Sequence, residues 1–168
     1  PNYGYDVDVY RIGANYVHYF DNDWTFKQNL AVTKTDTKGN AILASGTNTL
    51  PTIKRAINNQ DKQDINYTLD NHLQRNFDFE KINYDVMVGV DMMRERSDYY
   101  RRTDTINSFN ADNPVYGISS TKLGTPTQEI TYSQYAGLYL RNTIKSDDDW
   151  INGLTGRHDW TQVEIDKK

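Results

Sequence analysis

The chain has 168 residues, of which 36% are hydrophobic and 12% aromatic, with 13 tyrosines and a formal net charge of -4. This length suits one domain, the aromatic content excludes a disordered chain, and the acidic balance argues against a nucleic-acid partner. Cysteine is absent, which excludes a disulfide scaffold and any thiolate metal site.

A polar but tyrosine-rich chain fits two classes of protein, a soluble binding domain and a membrane β-barrel with a polar lumen and aromatic rims. No stretch approaches the roughly 18 apolar residues of a membrane-spanning helix. The first residues, "PNYGYDVDVY", contain no signal peptide, and the chain stops at "EIDKK" without a closing signal. We therefore expect an internal piece of a longer protein.

Alternation of apolar and polar residues dominates the chain from its start, and this pattern predicts β-strands rather than helices. The first strand is predicted over 7–20, and turn residues follow at 21–23. A second strand is predicted over 24–36. The Gly, Asn, Ser and Pro content of 38–51 then predicts a loop.

Two long strands are predicted next. The third begins near Thr52 and ends at a short turn near 80–83, and it contains neither Gly nor Pro. The fourth begins at Tyr84 with alternating valines and continues through the polar stretch "RERSDYYRRT". A long loop is predicted over 104–129, because this part of the chain contains "FNADNPVYG" and "GTPTQ".

The last hairpin is predicted to pair 130–145 with 150–165 through a turn at 146–149. The prediction is thus an all-β, antiparallel meander of about six long strands. Its short turns lie on one side and its long connections on the other, which is typical of an outer-membrane barrel. The aromatic residues next to the short turns suit a membrane interface; they are Phe20, Trp24, Phe77, Phe79, Tyr84 and Trp150. An ordinary soluble sandwich with aromatic residues at its strand ends is the alternative.

Four motifs in this chain resemble a known family. They are "VHYFDNDWTFKQNL", "YDVMVGVDM", "SFNADNPVYG" and "YSQYAGLYLRNTIKSDDDWINGLTGRHDW". Their order and approximate spacing are similar to the barrel part of TonB-dependent ferric-siderophore receptors, in particular the ferrichrome type. The resemblance covers nearly the whole chain and is strongest over 84–160. Departures from the family pattern occur at Met92, at Arg141 with Asn142, and at Thr155 and His158.

The resemblance implies a segment of a 22-stranded transmembrane β-barrel in the bacterial outer membrane. Residues 1–168 would be a partial barrel domain, without the plug domain, the TonB-contact segment and the remaining strands. Its implied function is binding and TonB-dependent import of ferric siderophores. The implied partners are the ferric siderophore, a TonB-type energising protein acting through the plug, and outer-membrane lipid. An isolated fragment is expected to self-associate through its open edges and apolar face.

Catalytic and metal sites are not expected. The three histidines lie in separate predicted strands without metal-ligand spacing, and "SDDDW" lacks the ligand pattern of a calcium loop. Motifs for a nucleophile elbow, a phosphate loop or a dinucleotide site are also missing. We expect a protein that is not an enzyme and has no cofactor, with iron carried only as the siderophore chelate.

Two sets of residues are candidates for function. Arg157 and Asp159 share a strand face opposite Trp160, and a lipid-facing basic residue costs about 2–4 kcal/mol at the membrane midplane. Both charges are therefore predicted to face the lumen, paired with each other or with Asp91 and Arg141. They would form either a charged wall against the plug or a generic solvated lumen.

The second set comprises aromatic and basic residues predicted in extracellular loops. It consists of Tyr99, Tyr100, Arg101, Phe109 and Tyr116, with Arg94 and Arg102 as further attraction for an anionic chelate. Simple loop packing is the alternative for each of them. The alternative function for the whole chain is a soluble antiparallel β-sandwich that binds a glycan or small ligand with its tyrosines.

Overall fold

The computed structural model describes residues 4–46, 49–117, 120–146 and 150–168, and these form one antiparallel sheet. The strands are β1 (Gly4–Tyr19), β2 (Thr25–Ala44), β3 (Thr52–Phe79), β4 (Ile82–Asn110), β5 (Ser120–Lys122), β6 (Thr127–Ser146) and β7 (Ile151–Lys167). Within the described ranges there is no helix of the length and apolarity needed to cross a membrane.

The six long strands follow one another in the order β1-β2-β3-β4-β6-β7, so each pairs with its neighbour in the chain. The short β5 pairs with the far part of β4, beside Thr105 and Ile106. The described sheet is open, with β1 and β7 at its edges. The registers between the six long strands run without a slip along almost their whole length, apart from a shift between Ile53 and Arg55.

The predicted all-β, antiparallel meander of about six long strands is confirmed, and the short β5 is added to it. Two details of the prediction are wrong. The predicted loop at 38–51 is strand as far as Ala44, and the predicted loop at 104–129 is strand as far as Asn110. Both polar segments pair with β3 along their length, and this pairing outweighs their turn-like composition. A soluble β-sandwich is also wrong for the described residues, because they form a single sheet.

The short turns lie at one end of the sheet. In the first, the amide of Phe20 donates to the carbonyl of Trp24 over 2.9 Å, and the second consists of residues 80–81 alone. Part of the third predicted turn, 147–149, lies outside the described residues. The amide of Ser146 donates to the carbonyl of Trp150 across it.

The continuous register gives the sheet two unlike faces. One, here called the apolar face, carries apolar side chains next to the short turns; they include Phe26, Leu30, Leu69, Leu73, Val86, Val88, Val90, Met92, Leu138, Leu140, Leu154 and Trp160. The opposite face, here called the polar face, carries Asp70, Asp91 and Arg157 at the same height. Aromatic rings meet beside the turns, where Trp24, Phe77, Phe79 and Tyr84 form ring contacts.

Little of the apolar surface is covered within the sheet. Among the described residues the buried hydrophobic side chains are Ala31, Ala56 and Ile106, while Leu154 remains 71% exposed. A single layer of strands cannot enclose a core, so its apolar face requires covering by its surroundings.

Adjacent positions on β4 test the assignment of the two faces. Val88→Arg places a charge in the middle of the apolar face, whereas Met87→Arg places the same charge on the polar face. In the barrel that the resemblance implies, folded into lipid vesicles, we expect Val88→Arg to lower the free energy of unfolding by about 2–4 kcal/mol. Met87→Arg is the matched control and should cost clearly less in the same urea titration. Equal decreases for the two variants would contradict this assignment.

Candidate functional site

A row of polar residues crosses the polar face at one height. Asn29, Asp70, Asp91, Gly137 and Asp159 are consecutive register partners on β2, β3, β4, β6 and β7. Asp70 and Asp91 therefore stand directly opposite each other. Like charges in this arrangement destabilise a sheet unless donors separate and satisfy them.

Arg157 of β7 supplies the donors for Asp91. One of its guanidinium nitrogens, Nη2, lies 2.8 and 3.0 Å from the two carboxylate oxygens of Asp91, and Nε lies 2.8 Å from Oδ1 of Asp159. The arginine reaches β4 by passing over Gly137 of the intervening strand. A Cβ at Gly137 would meet both carboxylates at 2.5–2.6 Å, so the glycine keeps this path open.

Two tyrosines of β6 complete the row. Tyr135 donates its hydroxyl to Oδ1 of Asp91 over 2.8 Å, and Tyr139 donates to Oδ2 of Asp70 over 2.8 Å. The guanidinium carbon of Arg157 lies 5.5 and 5.8 Å from the two ring centroids, within the range of a cation–π contact. The facing carboxylates are thus drawn to different donors.

Asp70 has two further partners. The side-chain amide of Asn29 donates to its Oδ1 over 3.3 Å, and Nδ1 of His72 lies 3.1 Å from the same oxygen. The polar-face network is defined here by Asn29, Asp70, His72, Asp91, Tyr135, Tyr139, Arg157 and Asp159. It binds five strands together at the height of the apolar band on the other face.

The structure brings together three of the four charged residues predicted to face the lumen, namely Asp91, Arg157 and Asp159. Arg141 lies apart from them, with its Nη2 3.9 Å from Oδ1 of Asp85. Sequence reasoning missed Asp70, His72, Tyr135 and Tyr139. A signal for Tyr139 was present in Gly89, because a glycine within a strand often marks the close approach of another group, here the tyrosine ring.

The candidate ligand residues fall into separate groups, and the prediction that they lie in loops is wrong for most of them. Tyr99, Tyr100, Arg101 and Phe109 belong to β4, and Tyr116 lies in the connection that follows it. Tyr100 is on the side of β4 opposite to its two neighbours.

Tyr99 and Arg101 form a pair on the polar face. The guanidinium carbon of Arg101 lies 6.0 Å from the ring centroid of Tyr99, whose hydroxyl donates to Oε1 of Gln60 over 3.1 Å. Phe109 and Tyr116 form a second pair, with ring centroids 6.0 Å apart. Arg55 of β3 accompanies them, with its guanidinium carbon 5.5 Å from the Phe109 centroid.

Asp104 ties the connection between β4 and β6 to the sheet. The residue is only 3% exposed, and its carboxylate accepts hydrogen bonds from the Gly124 amide at 2.9 Å and the Asn59 side chain at 3.2 Å. Arg102 forms an ion pair with it at 3.0 Å and is therefore engaged within the sheet. Burial raises the pKa of Asp104, but Gly124, Arg102 and Asn59 together outweigh burial and hold it below its ordinary value.

No group of three or more His, Cys, Asp or Glu side chains within the described ranges is arranged to hold a metal ion. The groups described above offer hydrogen bonds, ion pairs and aromatic contacts. Such groups can orient a polar ligand or a partner domain without forming covalent bonds.

Comparison with known proteins gives a consistent result. The chain matches the family described as "TonB dependent receptor-like, beta-barrel" over residues 1–168. It is 31% identical to the ferrioxamine B receptor of Salmonella typhimurium over 97% of the chain and 23% of the relative. Identity is 26% to the ferrioxamine receptor of Yersinia enterocolitica, over 88% of the chain and 22% of the relative.

A third relative is the ferrichrome outer membrane transporter/phage receptor of Escherichia coli, with 23% identity over 97% of the chain and 25% of the relative. The chain thus spans about a quarter of the length of the curated relatives it matches. These relatives are receptors and transporters rather than enzymes.

Gly89 tests the packing of the polar-face network. A Cβ at this position would overlap the ring of Tyr139, whereas one at Gly156 would meet nothing within 4 Å. We expect Gly89→Ala to lower the free energy of unfolding of the complete barrel by about 1–3 kcal/mol, as overpacking does elsewhere. Gly156→Ala is the matched control and should have little effect. The interpretation fails if both variants unfold at the same urea concentration.

The hydrogen bonds of Asp104 hold residues 120–126 against the sheet, and they predict that the stability of this segment depends on pH. Because the pKa of Asp104 is lower in the folded chain, its contribution is complete above the ordinary Asp pKa of about 3.9 and disappears as the pH falls through the lower folded value. Hydrogen exchange of 120–126, corrected for the intrinsic rate at each pH, should be faster in Asp104→Asn than in the wild type at pH 7.

The difference between the two proteins should shrink as the pH falls below about 4, because the Asp104 carboxyl is then protonated in the opened segment, and later also in the folded chain. Asp112→Asn, at an exposed position, is the control and should match the wild type at every pH. A difference between Asp104→Asn and the wild type that stays constant down to strongly acidic pH would refute the role of the ionised carboxylate.

Proposed function

Because the chain belongs to the TonB-dependent receptor β-barrel family of the bacterial outer membrane, we propose that it forms part of the wall of a receptor that imports a ferric siderophore. Import would be driven by a TonB-type energising protein acting through a plug domain. Residues 1–168 would contribute barrel wall and part of the outer mouth. The proposed role is transport, with no catalysis and no resident cofactor, and iron would arrive within the siderophore chelate.

The observation that carries this proposal is the segregation of the two faces at one height. Leu69, Met92 and Leu138 lie on the apolar face beside Asp70, Asp91 and Gly137 on the polar face. A barrel wall needs this pattern, because one side contacts hydrocarbon and the other contacts a polar interior. The turns lie at the end of the apolar band, and the long strands continue far beyond it, as expected for an extended outer mouth.

The substrate class is proposed from the relatives. Their names specify ferrioxamine B, ferrioxamine and ferrichrome, and we propose a ferric siderophore for this chain as well. The mouth residues that suit such a ligand are the Tyr99–Arg101 pair and the Phe109–Tyr116 pair. Rings of this kind pack against the apolar parts of a ligand, and the hydroxyl and guanidinium groups donate hydrogen bonds.

The polar-face network is proposed to face the plug domain. It carries Asp70, Asp91 and Asp159 against one permanent positive charge at Arg157, so its surface can accept further donors. Outer-membrane lipid is the proposed partner of the apolar face. Nucleic acid is not a proposed partner, since the acidic balance disfavours phosphate. A separated fragment would self-associate through β1, β7 and the apolar face.

Binding of ferrioxamine B and of ferrichrome to the complete receptor tests the proposed function directly. We expect at least one of them to bind, and the loss of the Tyr116 ring in Tyr116→Ala to weaken binding roughly tenfold, because a buried ring contact is worth on the order of 1–2 kcal/mol. Titration of purified receptor in detergent gives the dissociation constants, and uptake of radioactive iron by cells gives transport.

Tyr132→Ala is the matched control, since Tyr132 of β6 lies on the outward, apolar side of the sheet and should not touch the ligand. Cells that express the complete receptor but take up iron from neither siderophore would contradict the proposed substrate class. Equal effects of Tyr116→Ala and Tyr132→Ala would contradict the proposed position of the ligand.

A further inference from the structure

We propose that Arg55 is the positioning residue that holds Phe109 and Tyr116 at the outer mouth in a geometry ready for the ligand. This inference rests on the proposed function for the identity of the ligand, while the positioning itself is a property of the chain. Arg55 lies on β3 and touches both sides of the segment that carries the two rings.

The guanidinium of Arg55 links two backbone carbonyls. Its Nε donates to the carbonyl of Asn107 over 3.0 Å, and its Nη2 donates to the carbonyl of Gly117 over 3.3 Å. Asn107 precedes Phe109 in β4, and Gly117 directly follows Tyr116. One planar group therefore joins the beginning and the end of segment 107–117.

The backbone around Arg55 departs from the regular sheet. Arg55 pairs with Ile106 and Ile53 pairs with Phe109, so β4 has one more residue than β3 in this interval. A bulge of this kind redirects the side chains beyond it. The bulge thus sets the direction of the Phe109 side chain. The hydrogen bond from Arg55 to Asn107 lies across this bulge.

The chain then turns back within a few residues. The Asn110 side chain accepts hydrogen bonds from the amides of Asp112 at 2.9 Å and Asn113 at 3.3 Å, and the Ala111 amide donates to the Pro51 carbonyl at 2.8 Å. These contacts fix the start of the turn. Its end is held by the hydrogen bond from Arg55 to Gly117.

Tyr116 needs such support because its own side chain is 82% exposed. Its described ring contact is with Phe109, which in turn lies against Arg55. Holding exposed rings in place before binding reduces the conformational entropy lost on association and so increases affinity. Gly117 has a φ of +129°, a conformation that residues with L side chains rarely adopt. In this conformation its carbonyl accepts the hydrogen bond from Arg55.

Arginine suits this position better than lysine. A guanidinium presents several donors in one plane, whereas the ammonium of lysine is a compact point charge on a flexible stem. Arg55→Lys would keep the charge but should not bridge the carbonyls of Asn107 and Gly117 together. The charge-conserving variant therefore separates positioning from simple electrostatic attraction of the ligand.

A second, independent anchor exists at the other end of the connection, where Asp104 accepts from the Gly124 amide. Arg55 and Asp104 share no partner among the described contacts. Loss of each anchor should therefore release a different part of the connection, 110–117 for Arg55 and 120–126 for Asp104.

Hydrogen exchange of the complete receptor without ligand tests the positioning. We expect Arg55→Lys and Arg55→Ala to increase exchange across 110–117 by roughly tenfold while 120–126 stays unchanged, since a segment opens more readily when its own anchoring hydrogen bonds are removed. Asp104→Asn should show the reverse pattern, and Arg96→Ala should change neither segment. Unchanged exchange across 110–117 in Arg55→Ala would overturn the proposal.

A double-mutant cycle then tests the consequence for binding. If Arg55 acts through the rings, Arg55→Ala should weaken ferrioxamine B binding several-fold in the wild-type background and have no further effect in Phe109→Ala/Tyr116→Ala. Additive effects would show that Arg55 does not act through the pair, and would overturn that part of the proposal. If the wild-type receptor binds neither ferrioxamine B nor ferrichrome, the proposed function fails and hydrogen exchange alone decides the role of Arg55.

Discussion

The two-faced character of this sheet depends on the continuous register of its long strands. Successive side chains of a strand point to opposite faces, so a slip of one residue between β3 and β4 would turn Asp91 towards the apolar face. The polar-face network opposes such a slip, because Tyr139 on β6 donates to Asp70 on β3 across the whole width of β4. Arg157 on β7 holds Asp91 on β4 in the same way across β6. Register and network therefore support each other.

Alternation along the chain is sufficient to predict strands and their faces, and this was the part of the fold that sequence reasoning obtained. It failed at the strand ends away from the turns. There, 38–44 and 104–110 have the polar, turn-like composition of loops, yet backbone pairing with β3 keeps them extended. A strand that leaves the apolar band loses its hydrophobic signal but keeps its hydrogen-bonding neighbour, and local composition does not report that neighbour.

In the candidate site, too, contacts within one strand follow from alternation, whereas contacts between strands do not. Arg157 and Asp159 are two residues apart, so alternation within one strand places them on one face. Tyr139 and Asp70 are 69 residues apart in sequence. Their contact follows only when the registers of β3, β4 and β6 are known together. The Phe109–Tyr116 pair was likewise visible only as residue types, since Phe109 follows a bulge in β4 and lies against Arg55 of another strand.

Burial in this sheet is distributed differently from burial in a globular domain. The difference indicates which chemical groups a domain on the polar face must bring. Among the described residues the most buried charged group is Asp104, at the far end of the sheet, where its donors lie within the chain itself. The polar-face network remains open at its surface, with the Arg157 side chain 35% and the Asp159 side chain 43% exposed. Its three carboxylates face one arginine, so they retain free acceptor capacity. A domain packed against this row must therefore bring N–H or O–H donors, because carboxylates shielded from water without such partners would be strongly unfavourable.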